Sequence, residues 1–514
     1  MTISEWVNKY SALQCKAFWM LLFYIIILFA YFSILPQICK GQLSEEDSIY
    51  KVALGSYRDG FLDMAIEQFQ AFIRLYPEST KTPYALFRLG DCFIQKKNYE
   101  EAEGYYSKNV QLPPHHVLYK PSLYRLAECF LFQKKFSSAI LYFEKFMASY
   151  PHDELSGDAL FHLAESLYQV KEYQKALDNY ETLLQHYKNH HKSADSIYGA
   201  GWCLIKLKNY PKAIVYFEDL IKRYPDSSLT TNAYKKIADI YYQLENYQDA
   251  EKYYTRYLAT HPKDLNAMGH AILNQGITLS FLNRHKDAIT LYDTFLKNYK
   301  EHALSADIFF QRALYLYKTE QLYKAQEAFS EIKTTYKKNK LLEEKKIAAS
   351  LYYLGLIEEK IGEPERALAE YTLLIKEYPL LQERFIYDAL LRLGSFSYND
   401  NNFSTAAEFY QKASKSEDSS IAAEATYYLA DCFLAQQQKE TGIALLEKFH
   451  DLFPNEHAWG QMASFRLGNI YEENKQWALA LKEYKKASQE TAYKGLSELS
   501  DKALLRIESK ITHE

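Results

Sequence analysis

Small residues recur along this chain with a regularity that fixes most of its architecture. Ala65, Ala102, Ala139, Ala176, Ala213 and Ala250 follow one another at intervals of 37 residues, and the series continues through Ala288, Ala325, Ala367, Ala406, Gly442 and Ala480 at spacings of 38, 37, 42, 39, 36 and 38. Twelve positions before each stands a second small residue: Ala53, Gly90, Ala127, Ala164, Gly201, Ala238, Gly276, Ala313, Gly355, Gly394, Ala430 and Gly468. An aromatic four places after the later one, as at Phe143, Tyr180, Phe217 and Tyr254, puts a bulky side chain on the same helical face one turn on. This pattern predicts twelve helical pairs. Two small residues at fixed spacing let antiparallel helices approach closely, which larger side chains would prevent.

Punctuation agrees with that reading. Tyr76-Pro77, Tyr150-Pro151, Tyr224-Pro225, His261-Pro262, Tyr378-Pro379 and Phe453-Pro454 end the second helix of their repeats, since proline cannot continue a helix and restrains the residue before it. Lys97-Asn98-Tyr99, Lys208-Asn209-Tyr210 and Glu245-Asn246-Tyr247 mark the turn between the two helices. Leu496 to Ile511 reads as one more amphipathic helix, with Leu499, Ala503, Leu504 and Ile507 inward and Asp501, Lys502 and Glu508 outward, a solvating cap for the array. The charged run from Lys337 to Lys346 falls in the longest step and reads as a solvated helix extension or loop.

One segment departs from the pattern. From Ala17 to Leu35 the chain carries nineteen residues without a charge, enough as a helix to span about 28 Å, near the hydrocarbon thickness of a bilayer. It is apolar on every face, so the expectation is a transmembrane or signal-anchor segment over 17–35, after a flank 1–16 and before a linker 36–45. Lys9 and Lys16 before it mildly favour an inside N-terminus, although Lys40 and Lys51 count on the other side. That makes a periplasmic array the expected placement. An uncleaved anchor is preferred to a cleaved signal because the run exceeds the usual signal core and no A-x-A site follows.

Composition narrows the function classes. The 514 residues carry a net charge of −4 and no long basic run, so the electrostatic footprint of a nucleic-acid binder is missing. Forty-seven tyrosines stand out. Cys92, Cys129, Cys203 and Cys432 each lie two places after the first small residue, which makes them small buried hydrophobes with free thiols. The pairs His115-His116 and His190-His191 fall in loops between repeats with no Cys or paired acid near them in sequence, and no metal is assigned there. No phosphate loop, metalloprotease helix or nucleophile elbow is present, and the repeats leave too little chain for a catalytic domain. Neither catalysis nor a cofactor is expected.

Small residues twelve apart, an aromatic four later and a terminal proline together resemble the tetratricopeptide repeat over residues 46–490, with 491–514 as the capping helix. The slightly long period and recurrent Tyr-Pro ending are similar to repeats of bacterial envelope proteins, among them the outer-membrane assembly lipoprotein and the coordinator of the Tol–Pal system. The resemblance implies an all-α, right-handed superhelical solenoid whose first helices line a concave surface. Three places before, one after and four after the first small residue would then face a partner. Those positions give Phe87, Asp91, Tyr124, Glu128, Phe161, Glu165, Tyr168, Tyr198, Trp202, Asp239 and Tyr242 as the candidate surface. Tyrosine offers a large rigid contact at small entropic cost, although aromatics at these positions also pack between helices. Asp91, Glu128 and Glu165 would form an acidic stripe that favours basic or extended peptides, or else a solvated face. The carboxylate-gripping clamp of some such repeats is missing, because only Lys235 places a base three before the small residue. The implied function is a non-catalytic scaffold at the membrane, recruiting peptides or proteins in a bacterial envelope process. The alternatives are a cytoplasm-facing anchored regulator of envelope synthesis and a periplasmic glycan or peptidoglycan binder; oligomeric state is left open.

Overall fold

The computed structural model describes residues 19–30, 44–338, 340 and 342–511. Within them the chain forms twelve consecutive helical pairs followed by one further helix, with no strand among the described residues. The first pair is Glu45–Arg58 with Leu62–Leu75, the fourth is Ser156–Gln169 with Tyr173–His186, the fifth is Ser193–Lys206 with Tyr210–Arg223, and the twelfth is His457–Glu473 with Trp477–Gln489. The helices divide into two compact bodies, one ending at Ile240 and the other beginning at Tyr241, so the boundary falls within the helix Ser228–Gln243.

The twin small residues do what their spacing required. All are buried, and the alanines among them show no exposed surface. The aromatic four places after the second small residue lies on the first one: a Cβ added to Gly90 would sit 2.6 Å from Tyr106, one on Gly201 2.6 Å from Phe217, and one on Gly468 2.7 Å from Tyr484. A ring pressed against backbone is therefore the core of these pairs, and it is why Gly90, Gly201 and Gly468 are glycine; repeat 11 carries Leu446 in place of the ring.

The turn inside every repeat uses the left-handed conformation. Twelve residues in register do so, from Gly60 through Lys97, Lys134, Lys171 and Lys208 to Gly362 and Lys475, and only two of the twelve are glycine. An L side chain there costs roughly 1 kcal/mol, which the returning helix compensates by packing. Asn98, Asn209 and Asn246 then cap the second helices, each side-chain oxygen accepting an N–H three residues on.

The junction between repeats has its own recurring geometry. The backbone carbonyls of Tyr76, Tyr150, Tyr224 and Tyr299 accept 2.6 Å hydrogen bonds from the hydroxyls of Thr82, Ser156, Thr230 and Ser305 at the start of the next helix. Between them one side chain turns back to accept the N–H two residues ahead: Ser79, His116, Asp153, His190 and Ser227 occupy this place at the 37-residue period, at 3.0 to 3.2 Å. Serine, aspartate and an imidazole Nδ1 thus serve one acceptor role.

Two expectations need adjustment. In the terminal helix Lys494–Ile511, Ala503 and Ile507 are buried but Leu499 is 51% exposed, because the helix is also anchored through its start, where Gln461 receives the Tyr493 N–H at 2.7 Å and donates to the Glu490 carbonyl at 2.9 Å. In the charged run, Lys337 and Lys345 pair with Glu377 and Glu383 at 2.6 and 2.7 Å, so these lysines bridge to neighbouring elements; the run's Asn339 and Leu341 lie outside the described residues. Of the apolar segment 17–35, residues 19–30 are helical and the rest lie outside the described residues; among those described, no helix is long and apolar enough to cross a membrane.

Candidate functional site

Eight of the ten candidate residues of the first body line two hollows. Phe161, Glu165 and Tyr168 on the helix Ser156–Gln169 meet Tyr198 and Trp202 on Ser193–Lys206 around an open cleft of about 340 Å³, with Tyr180, Asp195 and Leu229 completing the lining. Phe87, Tyr124 and Glu128 line a second hollow with Arg125, His162 and Lys192. Asp91 and Asp239 line neither, and Tyr242 belongs to the second body, half-buried against Tyr247 with ring centres 6.1 Å apart.

The acidic stripe is not a row of free carboxylates. Asp91 is only 9% exposed, and it accepts hydrogen bonds from the Tyr106 hydroxyl at 2.8 Å and from Arg88 at 3.0 Å. Glu128 is held by Arg125 at 2.7 Å, and burial still raises its carboxyl above the usual range despite that partner. Asp239 pairs with Lys235 at 2.9 Å, and Asp431 with Arg466 at 2.8 Å. For Asp91, Glu128 and Asp239 the reason is local, since a base three or four residues before an acid shares its helical face, whereas Asp431 is reached from the following repeat. Tyr124, expected at the surface, is buried with its ring edge-on to Phe143 and Phe146 at 5.9 and 5.5 Å.

Glu165 differs from the other four. Its hydrogen-bond donor is the Tyr180 hydroxyl, and among the described residues no ion pair reaches it or Asp195. Where repeats 2 and 3 carry Arg88 and Arg125, repeat 4 carries His162, which stacks on Phe143 at 5.8 Å and whose pKa burial lowers to about 4, so the ring is neutral at pH 7. The cleft above Glu165 is aromatic: Tyr198 and Trp202 stand edge to face at 6.3 Å. Its nearest ammonium groups contact rings, Lys192 over Phe161 at 5.1 Å and Lys236 over Trp202 at 4.3 Å, and Lys236 also lies 3.8 Å from Asp239.

The histidine pair of the fourth junction does have an acid partner, contrary to its sequence surroundings. Asp158 lies 3.1 Å from His191 and 3.7 Å from His190, and the three donors could meet at one ion. His190 is poorly disposed to bind one. Its Nδ1 accepts the Lys192 N–H at 3.2 Å, so the neutral ring keeps its proton on the Nε2 that faces Asp158. Burial lowers its pKa as well, and the cluster is a junction cap with the Asp158 carboxylate beside both rings. The acid is not near in sequence because it lies two helices back, on Ser156–Gln169. Cys92, Cys129, Cys203 and Cys432 are buried free thiols, and burial pushes their pKa values to about 11 for the first and about 12 for the others.

Comparison with known proteins bears on the whole array. Residues 53–115, 122–153, 156–226, 233–266, 349–380 and 424–456 match family models described as tetratricopeptide repeat. No curated protein matches the chain at a significant level. Among solved structures, the chain is similar to the C-terminal part of a TPR repeat-containing protein from Cytophaga hutchinsonii, at 15% identity over 52% of this chain and 99% of that one with a TM-score of 0.43. It is also similar to a tetratricopeptide repeat protein from Parabacteroides merdae, at 16% identity over 56% and 98% with a TM-score of 0.35. PilF from Pseudomonas aeruginosa matches at 17% identity over 44% and 95%, with a TM-score of 0.33. Six matched segments distributed along the helical pairs, with the ring-on-backbone contact repeated inside them, identify the chain as a tetratricopeptide-repeat protein.

Proposed function

We propose that this protein is a non-catalytic scaffold that holds an extended segment of a protein partner in the cleft between its fourth and fifth repeats. The observation that carries the proposal is the meeting of Phe161, Glu165, Tyr168, Tyr198 and Trp202, on two successive first helices, around one open aromatic hollow. Rigid rings with polar edges make contact at little entropic cost, and the two helices are held in register by the junction between them. A photo-crosslinking residue in place of Tyr168 should give peptide adducts that the same residue at Tyr323, 76% exposed in the second body, does not. Equal labelling at both positions, or glycan adducts at 168, would redirect the assignment.

The scaffold is further proposed to be anchored through 17–35 with its array in the periplasm, in a process of the bacterial envelope. The support is the nineteen-residue uncharged run, of which residues 19–30 form a helix with Met20 and Phe29 about three-quarters exposed. Flotation of the full chain with lipid vesicles, lost on deleting residues 17–35, tests the anchor. Digestion by protease added to intact spheroplasts tests the placement.

A further inference from the structure

Repeat 2 contains its own example of how such a surface takes up a cation. The Arg88 guanidinium lies 5.4 Å from the Tyr57 ring centre and 5.7 Å from that of Phe87, while its Nη1 donates to Asp91 at 3.0 Å. Two rings and a carboxylate thus enclose one planar cation. Arg88 stands two places before the first small residue of its repeat. The same register position holds Lys51, Arg125, His162, Gly199 and Lys236 in the other repeats of the first body.

Gly199 is the one residue of that set without a side chain, and it lines the cleft. Its bareness is structural, since a Cβ there would sit 2.6 Å from the Tyr180 ring, which lies against the helix backbone and directs its hydroxyl to Glu165. Tyr168 and Tyr198 therefore line the cleft where a long basic side chain would otherwise reach, Trp202 being covered from the next repeat by Lys236 at 4.3 Å, and neither Glu165 nor Asp195 has an ion-pair partner among the described residues. Between Tyr168, Tyr198 and Glu165 the hollow has the rings and the acid of the repeat 2 arrangement and lacks its cation.

We infer that this cleft receives an arginine side chain from the bound partner, so that the partner supplies in trans what Arg88 supplies within repeat 2. The inference rests on the partner-binding reading of the same cleft and names the group recognised. A guanidinium satisfies both needs at once, because it stacks on aromatic faces and donates in a fork to carboxylates.

The test uses the full chain and acetyl-Gly-Tyr-Xaa-Tyr-Gly-amide peptides in which Xaa is arginine, citrulline or lysine. Citrulline keeps the planar shape and loses the charge; lysine keeps the charge and loses the plane. The arginine peptide should bind about tenfold more tightly than either, and E165Q should reduce its affinity by a similar factor and bring it level with citrulline. D195N should act in the same direction, and D226N, at an exposed acid outside the cleft, should have no effect. Neutral amides at 165 and 195 preserve shape, and circular dichroism checks the fold. Equal binding of arginine and citrulline peptides, equal binding of arginine and lysine peptides, or an E165Q protein that still prefers arginine would each overturn the inference. If peptide adducts still form at position 168 in that case, the partner cleft stands and only its arginine specificity falls; if none form, both fall together.

Discussion

Repeats 2 and 3 and repeats 4 and 5 use one backbone plan to opposite ends. In the former, Arg88 and Arg125 hold Asp91 and Glu128, so each acid is paired by an arginine of its own helix. In the latter, His162 and Gly199 occupy the register of those arginines, and the surface opens into an aromatic cleft with unpaired acids. A repeat array can thus open a cleft at one place by leaving out a side chain, with the helical scaffold unchanged. The ring-on-backbone contact is common to both regions; the side chain two places before the first small residue separates them.

Experiments that disturb the shared element should have the largest effects. Gly90→Val places branched carbon where a Cβ alone would come within 2.6 Å of Tyr106, and it should destabilise the first body by about 3 kcal/mol in denaturant unfolding. A loss below about 1 kcal/mol would mean that the ring is free to move away and that the glycines are not dictated by packing.

The neutral His162 of repeat 4 gives a pH signature that Arg88 and Arg125 at the same register do not. Its folded pKa, about 4, lies below the unfolded value near 6.5, so between these values the unfolded state binds more protons and stability falls with pH. Wild-type protein should lose about 2 kcal/mol more than His162→Phe as pH drops from roughly 6.5 to 4.5. Identical pH profiles would show that the ring is not buried in solution.

Removing Arg88 should sharpen the contrast. Arg88→Met leaves the buried Asp91 with only the Tyr106 hydroxyl and should cost about 1.5 kcal/mol, whereas Glu165→Gln should change stability by less than about 0.5 kcal/mol because no cation depends on it. The same cost at both sites would remove the distinction between a filled and an open register. The smallest effects should come from the turns: Lys97→Gly and Lys171→Gly each relieve a left-handed lysine and should stabilise by about 0.5 kcal/mol, equally in the two regions.

The helical pairs were legible because their signal is steric and recurs twelve times: a larger residue at Ala53 or Gly201 would separate the helices, so the period survives in sequence. The turns were legible only in part. A lysine or glutamate in the left-handed region looks like any surface residue, and the capping role shared by Ser79, His116, Asp153 and His190 is spread over unlike chemistries with one acceptor in common. Of the candidate surface, Phe161, Glu165, Tyr168, Tyr198 and Trp202 do share a cleft. Asp91 and Glu128 were read as free acids although Arg88 and Arg125, three residues earlier on the same helical face, were already visible as partners. The Asp158 contact with the histidine pair was not readable, because it joins a helix to a loop beyond the following helix.

The cleft is shared by the first helices of repeats 4 and 5, and this sets where the chain can change in length. Duplicating or excising a whole 37-residue period elsewhere in repeats 1 to 3 would reproduce familiar seams at each edge and leave the hollow intact. Inserting one between repeats 4 and 5 would preserve every seam equally well, yet it would part Tyr168 from Tyr198 and abolish the hollow they form. Under the proposed binding role, gain or loss of periods is constrained where repeats 4, 5 and 6 meet, since Leu229 also lines the cleft, while the borders before them answer only to folding.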